Sequence, residues 1–171
     1  MLLLLLTGPP GAGKSTVATA VHDRLGETGV ANALMEADEL RRCYPGLAKQ
    51  RLCEHVAFLV RSYQEAGHDL FVITETLEDL ADYEQLVAAV APDQVFLVRL
   101  DAAPEILQAR ITDREHAAWP GLPGLLASAA RLASSMRLLP NVDLVVSTQA
   151  ESAEDVATRI LAAFDTWRRS N

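Results

Sequence analysis

Eight residues near the start of the chain have the types and spacing of a phosphate-binding loop. They fit the pattern Gly-x-x-x-x-Gly-Lys-[Ser/Thr] and are followed by Thr16: Gly8, Pro9, Pro10, Gly11, Ala12, Gly13, Lys14 and Ser15. In such a loop the glycines let backbone N–H groups curl around phosphate oxygens. The lysine reaches the β- and γ-phosphates, and the Ser15 hydroxyl ligates Mg²⁺. The pattern therefore predicts a nucleotide and Mg²⁺ site at residues 8–16, with Lys14 as a catalytic cation.

Acidic side chains follow two of the predicted strands. Asp38 follows the second strand, where a carboxylate would orient an acceptor hydroxyl and take its proton during phosphoryl transfer. Glu75 follows the third strand and is predicted to contact the acceptor or a Mg²⁺-bound water. Helix capping is the alternative role at both places. Arg41 is predicted to hold an anionic group of the acceptor, the alternative being a solvated surface arginine.

Two arginines and one glutamine complete the set of candidate site residues. Arg110 and Arg114 are four residues apart on one predicted helix, at the base of the Pro/Gly-rich stretch 119–124. Arginines beneath a mobile flap would cover the transferring phosphates, although neighbouring acidic residues offer them salt bridges instead. Gln149 follows the last predicted strand, where it would read the edge of the nucleotide base. The alternative is that Gln149 only forms part of a turn before the next helix, which Ser152 would cap.

Apolar strands alternate with helical periodicity along the whole chain, which predicts the frame that positions these residues. The strands are predicted at 2–6, 31–36, 69–74, 94–100 and 142–147. Helices are predicted at 16–28, 38–43, 49–66, 79–90, 103–115, 125–138 and 152–168. This alternation indicates an α/β fold with a parallel sheet covered by helices on both faces. Ligands of such sheets bind beyond the carboxyl ends of the strands, where the candidate residues follow.

Composition narrows the classes of function. With 171 residues, half of them hydrophobic, we expect one domain over 1–171. A net charge of −8 disfavours non-specific binding to nucleic acid. The sequence contains no apolar run of about 20 residues, the length that a membrane span requires, so we expect no membrane span. Cys43 and Cys53 suit free thiols in a reducing cytoplasm. We expect a small-molecule partner, and the sequence leaves the oligomeric state open.

Several segments of the sequence resemble the P-loop small-molecule kinases. These segments are LLLLLTGPPGAGKST, ADELRR and VFLVRLDAAPEILQARITDRE. The family is the nucleoside-monophosphate-kinase-like group that includes gluconate, shikimate, adenylylsulfate and chloramphenicol kinases. The resemblance implies a three-layer fold with strand order 2-3-1-4-5, ATP at Gly8–Thr16 and a lid at about 110–124. It also implies an acceptor pocket around Asp38, and Mg²⁺ held by Ser15 and, through water, by acidic side chains. Asp38 matches the family's acidic residue after strand 2, and Arg110 matches its first lid arginine.

The sequence departs from particular members of that family. Thr74-Glu75-Thr76-Leu77-Glu78 stands where gluconate kinases have a Cys-Ser-Ala-Leu-Lys-like segment, and Glu36-Ala37-Asp38 stands where shikimate kinases have Asp-x-Asp. The acceptor is therefore open. The leading hypothesis is an ATP-dependent phosphotransferase that acts on a hydroxyl of a small molecule, a metabolite or an antibiotic. The alternatives are a nucleotide kinase with a phosphate acceptor and an ATP-binding regulatory switch.

Overall fold

A five-stranded sheet with helices on both faces forms the frame of the protein. The computed structural model describes residues 1–170. The strands are β1 (Leu2–Thr7), β2 (Ala33–Glu36), β3 (Leu70–Thr74), β4 (Gln94–Asp101) and β5 (Leu144–Ser147). The α-helices are α1 (Lys14–Glu27), α2 (Lys49–Glu65), α3 (Leu80–Val90), α4 (Pro104–Arg114), α5 (Leu122–Ser135) and α6 (Ala153–Ser170). Two 3₁₀ segments are Ala37–Arg41 and Met136–Leu138.

All neighbouring strands are parallel, in the order β2-β3-β1-β4-β5. This is the strand order that the resemblance to the P-loop small-molecule kinases implies, and that expectation is confirmed. The central strand β1 pairs with β3 on one side and with β4 on the other. Because the chain enters the sheet at its centre and the strand order diverges there, the loop after β1 lies at the point where ligands bind to such sheets.

The leucine run of β1 supplies both halves of the core. Successive side chains of a strand point to opposite faces of a sheet. Leu4 and Leu6 accordingly pack into one apolar cluster, with side chains of α1, α4, α5 and α6. Leu3 and Leu5 pack into a second cluster, with side chains of α2 and α3. Burial on both faces explains why the strand is apolar throughout instead of alternating with polar residues.

Two predicted helices differ from those observed. The segment predicted as a helix at 38–43 is a 3₁₀ turn over Ala37–Arg41, closed by a hydrogen bond from the Arg42 N–H to the Glu39 carbonyl. Helix α5 begins at Leu122, inside the stretch 119–124 that the sequence assigns to a flap. Pro123 lies in its first turn, where the backbone N–H that proline lacks has no partner within the helix. Within residues 1–170, no helix combines the length and apolar character that a membrane span requires.

Candidate active site

The loop between β1 and α1 has a backbone shape that its glycines make accessible. Gly11 and Gly13 have φ values of 83° and 89°, in the left-handed region that favours glycine. A Cβ atom on Gly11 would lie 2.8 Å from the carbonyl oxygen of Leu107, so α4 packs directly on the loop at this point. Helix α1 starts immediately afterwards, at Lys14. The loop therefore presents a helix N-terminus and its free backbone N–H groups at the carboxyl edge of the sheet, which suits phosphate binding.

Lys14 is held across the mouth of this loop. Its Nζ donates a hydrogen bond to the Gly8 carbonyl oxygen at 3.0 Å and lies 4.0 Å from the Asp38 carboxylate. The side chain is only 10% exposed. Burial lowers the pKa of Lys14, and the nearby carboxylates, first Asp38 and then Glu75, oppose that shift. A cation that has already lost most of its water is well prepared to bind an incoming phosphate.

The first residues of α1 and the end of β2 bring a hydroxyl and a carboxylate together. The Ser15 hydroxyl donates a hydrogen bond to the Glu36 carboxylate. A serine hydroxyl with one carboxylate is an oxygen donor pair suited to Mg²⁺, which keeps waters and nucleotide phosphates as its other ligands. Within residues 1–170, no three His, Cys, Asp or Glu side chains converge on a metal-binding position. The donor set thus fits a Mg²⁺ that arrives with a nucleotide better than a permanently bound metal.

Asp38 faces Lys14 from the 3₁₀ turn after β2. The Thr76 hydroxyl, from the loop after β3, donates to the Asp38 carboxylate at 3.4 Å. The Asp38 side chain is 46% exposed, so one side of the carboxylate is open to the cavity. A capping role for the Asp38 side chain is not what the structure shows, because its hydrogen bond comes from a side chain 38 residues away. Asp38 is therefore accessible to a molecule that enters beside Lys14.

Arg41 and Glu75 form a buried pair next to Asp38. The Arg41 guanidinium donates to Oε1 of Glu75 at 2.5 Å, and Glu75 is 1% exposed. Burial raises the pKa of Glu75 to about 7; the charge of Asp38 acts in the same direction, and Arg41 acts against it. Among the described residues, Oε2 of Glu75 and Nε of Arg41 have no hydrogen-bond partner although both atoms are buried. Two of the three predicted acceptor-binding residues, Arg41 and Glu75, thus contact each other.

A cavity of about 710 Å³ joins Lys14, Ser15 and Glu36 with Asp38 and Thr76, and the Arg41–Glu75 pair lies outside its lining. The phosphate-binding loop and the start of α1 form one wall, and the segments after β2 and β3 form the other. The end of α4 and the start of α5 close it. Its lining residues are Pro10, Gly11, Gly13, Lys14, Ser15, Thr16, Glu36, Asp38, Glu39, Arg42, Thr76, Arg114, Glu115 and Leu125. The cavity has room for a triphosphate end and a small second molecule, since typical small-molecule sites span about 300–1,000 Å³.

The two arginines of α4 have different surroundings. Arg114 lines the large cavity and forms an ion pair with Glu115 at 2.8 Å. Arg110 lies instead beside a second cavity of about 250 Å³, on the other side of the loop. Its guanidinium donates to the Gly11 carbonyl at 3.3 Å and to the Thr148 hydroxyl at 3.0 Å. Arg110 therefore supports the phosphate-binding loop from behind, while Arg114 faces the space where phosphates would lie.

Thr148 connects the loop after β5 with the phosphate-binding loop. Its buried hydroxyl accepts from Arg110 and donates to the Ala12 carbonyl at 3.0 Å. Thr148 lines the second cavity, together with Ala12, Val17 and other side chains. Gln149, the residue predicted to border the nucleotide base, is exposed and its side chain donates to the Ser147 hydroxyl. Burial alternates along this segment, so Val146 and Thr148 point inward while Ser147 and Gln149 face solvent.

Three polar side chains that shape the site were not predicted as site residues: Glu36, Thr76 and Thr148. Glu36 ends β2, Thr148 directly follows β5 and Thr76 lies two residues beyond β3, all at the carboxyl edge of the sheet. A rule that counts every polar residue at those ends would have found all three. Sequence position alone does not tell which of two adjacent polar residues, such as Thr148 and Gln149, points inward.

Comparison with solved structures supports the fold assignment. The APS kinase CysC of Mycobacterium tuberculosis is 18% identical, with a TM-score of 0.67 over 95% of this chain and 96% of that chain. A sugar kinase from Janibacter sp. HTCC2649 is 22% identical, with a TM-score of 0.69 over 96% and 95%. A gluconokinase from Sinorhizobium meliloti 1021 is 17% identical, with a TM-score of 0.70 over 98% and 93%. The fold is therefore that of the P-loop small-molecule kinases, as the sequence resemblance implies.

A family model places the chain more directly. Residues 3–123, which include the phosphate-binding loop, Asp38, Glu75 and both arginines of α4, match the model described as an AAA domain. The chain belongs to this family.

Proposed function

We propose that the protein transfers the γ-phosphoryl group of ATP, bound with Mg²⁺, to a hydroxyl group of a small molecule. One observation carries the proposal. The phosphate-binding lysine and a partly open carboxylate, Lys14 and Asp38, meet 4.0 Å apart at the wall of one cavity. Phosphoryl transfer requires a cation at the γ-phosphate and an acceptor hydroxyl aligned with it, and this pair supplies both groups.

The two cavities suggest how ATP is held. The backbone N–H groups of Gly13–Thr16 and the Lys14 side chain would bind its phosphates in the large cavity. The second cavity, lined by Arg110, Thr148 and apolar side chains of α1 and α6, would take the base. Ser15 and Glu36 would hold Mg²⁺, which when bound neutralises charge on the phosphates. Gly11 supports this assignment because its φ of 83° and its contact with Leu107 leave no room for a side chain in the loop.

The residues of this chain would divide the chemistry among them. Asp38 would accept the hydrogen bond of the acceptor hydroxyl, orient its oxygen toward the γ-phosphorus and take its proton. A bond then forms between the acceptor oxygen and phosphorus, and the bond to the β-phosphate oxygen breaks, which releases ADP. Lys14 and Arg114 would neutralise the charge that develops on the oxygens of the transferring group. Thr76 would fix the orientation of the Asp38 carboxylate.

The test is ADP formation from Mg·ATP in the presence of hydroxylated molecules, with Asp38→Asn as the diagnostic variant. Loss of a positioned base lowers kcat by about 10²–10⁴-fold. The Kd of Mg·ATP, measured by calorimetry, should change little because Asp38 contacts the acceptor side. Glu39→Gln is the matched control, since Glu39 is the next acidic residue, lines the same cavity and pairs with Arg42 at the surface. Near-normal kcat in Asp38→Asn would contradict the role assigned to Asp38. Failure of the wild-type protein to bind Mg·ATP would contradict the proposed function.

We also propose a small-molecule acceptor rather than a nucleic acid or a membrane surface as the partner. The acidic balance of the chain, −8, supports this, because a surface with excess negative charge repels both phosphate backbones and anionic lipid.

A further inference from the structure

The segment after β3 is fixed to the strand that leads into the phosphate-binding loop. The Glu75 N–H donates a hydrogen bond to the Leu6 carbonyl at 3.1 Å, and the Leu77 N–H donates to the buried Thr7 hydroxyl at 3.0 Å. Both acceptors belong to the end of β1, directly before the phosphate-binding loop. Because backbone groups make these bonds, the position of residues 75–77 follows that of the phosphate-binding loop.

The same segment holds the 3₁₀ turn that carries Asp38. The Arg41 guanidinium donates to Oε1 of Glu75 at 2.5 Å, and the Thr76 hydroxyl donates to the Asp38 carboxylate at 3.4 Å. A 3₁₀ helix has about three residues per turn, so side chains three positions apart lie on the same side of it. Asp38 and Arg41 have this spacing, and both reach the segment after β3. Two adjacent residues of that segment thus contact two side chains of the turn.

The Arg41–Glu75 pair lies behind the wall of the cavity. Asp38 and Thr76 line the large cavity, whereas Arg41 and Glu75 do not, and Glu75 is 1% exposed. Beyond Arg41, residues 42–46 are all exposed. Arg41 is therefore the point at which the end of the turn is anchored to another part of the protein before an exposed stretch begins. The pair influences the cavity through the position of the turn.

The pair is a costly means of stabilising the fold. Burial raises the pKa of Glu75 to about 7; the charge of Asp38 acts in the same direction, whereas Arg41, Lys49 of α2 and Lys14 of α1 act against it. Because the pKa is raised, ionisation of Glu75 at neutral pH lowers stability. Among the described residues, Oε2 of Glu75 and Nε of Arg41 also have no hydrogen-bond partner. A buried ion pair that adds little stability can still fix the arrangement of the segments that it joins.

We propose that Arg41 and Glu75 are positioning residues that hold the 3₁₀ turn, so that the Asp38 carboxylate stays 4.0 Å from Nζ of Lys14. The proposal rests on the proposed phosphotransferase function and assigns to it two residues that do not touch the reactants. A misplacement of about 1 Å can lower a rate by about 10²-fold. A turn that has lost its anchor would therefore lower kcat and leave the binding of ATP unchanged.

The first test needs no turnover. Amide hydrogen exchange is measured by NMR at positions 42 and 43, whose N–H groups donate to the carbonyls of Glu39 and Arg41. Arg41→Leu should lower their protection factors at least about tenfold, because the turn loses its anchor. Arg42→Leu is the matched control; it removes the adjacent arginine, whose ion pair with Glu39 is exposed, and should keep protection within about twofold. Equal protection in the wild type and Arg41→Leu would overturn the proposal.

A second variant separates the loss of the anchor from a general loss of folding. Arg41→Leu leaves a buried carboxylate without a partner, and adding Glu75→Gln removes that charge. The double variant should show the same low protection at positions 42 and 43, with wild-type protection in α2 and α3. Wild-type protection at positions 42 and 43, or a loss that extends equally to α2 and α3, would count against a positioning role. Glu75→Gln alone should give an intermediate result, because its amide oxygen still accepts from Arg41 in a weaker, uncharged hydrogen bond.

The third test asks whether the pair acts through Asp38. ADP formation from saturating Mg·ATP is measured with water as the acceptor and with added glucose, galactose or uridine, and variants are compared under the condition that gives the highest rate. Arg41→Leu should lower kcat by about 10–100-fold. Its Kd for Mg·ATP in calorimetry, and the kcat of Arg42→Leu, should stay within about twofold of the wild type. In an Asp38→Asn background, Arg41→Leu should cause no further loss, because no carboxylate remains to be positioned.

Two results of the third test would refute the proposal. One is an unchanged kcat in Arg41→Leu with a raised KM for an added acceptor, which would show that Arg41 binds the acceptor directly. The other is an undiminished further loss in the Asp38→Asn background, which would show that Arg41 acts independently of Asp38. If the wild type forms no ADP under any of these conditions, the proposed function fails, and the exchange measurements still decide whether the pair holds the turn.

Discussion

Replacing Thr148 by valine tests whether the loop after β5 holds the phosphate-binding loop in place. Valine has nearly the same shape as threonine but lacks its hydroxyl. The side chain is only 5% exposed, so water cannot replace the lost group. The substitution removes two hydrogen bonds, one to the Ala12 carbonyl and one from Arg110, each 3.0 Å long. Arg110 keeps its bonds to the Gly11 and Thr148 carbonyls, so the backbone around the loop should stay folded.

The expected size of the effect follows from those two bonds. A net contribution of about 0.5–1.5 kcal/mol for each bond predicts a loss of about 1–3 kcal/mol in the free energy of unfolding. For a chain of this length, a loss of about 2 kcal/mol corresponds to a fall in Tm of about 4–8 °C. Thr148→Ser is the matched control, because it keeps the hydroxyl and removes one methyl group, which costs about 1 kcal/mol.

The assay is urea unfolding of both variants and of the wild type, with and without Mg·ATP. Ligand that binds only the folded state adds RT ln(1 + [L]/Kd) to stability, so the added stability reports the Kd. We expect Thr148→Val to lose both intrinsic stability and part of the stabilisation by Mg·ATP, whereas Thr148→Ser retains the latter. If Thr148→Val unfolds within about 0.5 kcal/mol of the wild type and binds Mg·ATP equally well, the hydroxyl does not support the loop.

Three further predictions follow from the site. Lys14→Ala should abolish measurable ADP formation and weaken Mg·ATP in calorimetry, because it removes the buried cation at the phosphates. Gly11→Ala should lower Tm and ATP affinity, since its φ of 83° and the Leu107 carbonyl at 2.8 Å leave no room for a Cβ, whereas Gly26→Ala within α1 should be neutral or stabilising. For Glu75, with its pKa raised from 4.5 to about 7, the folded state binds more protons than the unfolded state between these values. Protonation of Glu75 therefore stabilises the folded state at low pH, and the free energy of unfolding should fall by about 3 kcal/mol as pH rises from 4.5 to 7. Urea unfolding of Glu75→Gln should lack this pH-dependent fall.

The sheet and the phosphate-binding loop were predictable because their signals are local. The leucine run before Gly8 indicates a strand buried on both faces, and the glycine spacing fixes the turn that follows. The 3₁₀ turn at Ala37–Arg41 was predicted as a longer helix because five residues give too short a pattern to distinguish the two. The start of α5 was misjudged because a proline in the first turn of a helix looks the same in sequence as a proline in a loop.

The side-chain pairs of the site were less predictable, because they join residues distant in sequence. Asp38 and Glu75 were each placed at a strand end, which is a local inference. The bond between Arg41 and Glu75 spans 34 residues and depends on the β2–β3 register, in which Glu36 lies opposite Thr74. Arg110 was predicted to cover phosphates, and its bonds to Gly11 and Thr148, which join residues far apart in the sequence, could not be read from its place on α4.

The energetic difference between the arginines bears on what the cavity can accept. Arg114 is 62% exposed and its ion pair with Glu115 is at the surface, so exchanging Glu115 for a phosphate oxygen costs little. The Arg41–Glu75 pair is different, because Glu75 is 1% exposed. Removing one partner from a buried pair typically costs about 3–5 kcal/mol, a factor of more than about 100 in affinity. An anion that captured Arg41 would incur that cost. Arg114 is therefore the arginine that can exchange its carboxylate for a phosphate, whereas Arg41 is fixed by the buried carboxylate of Glu75.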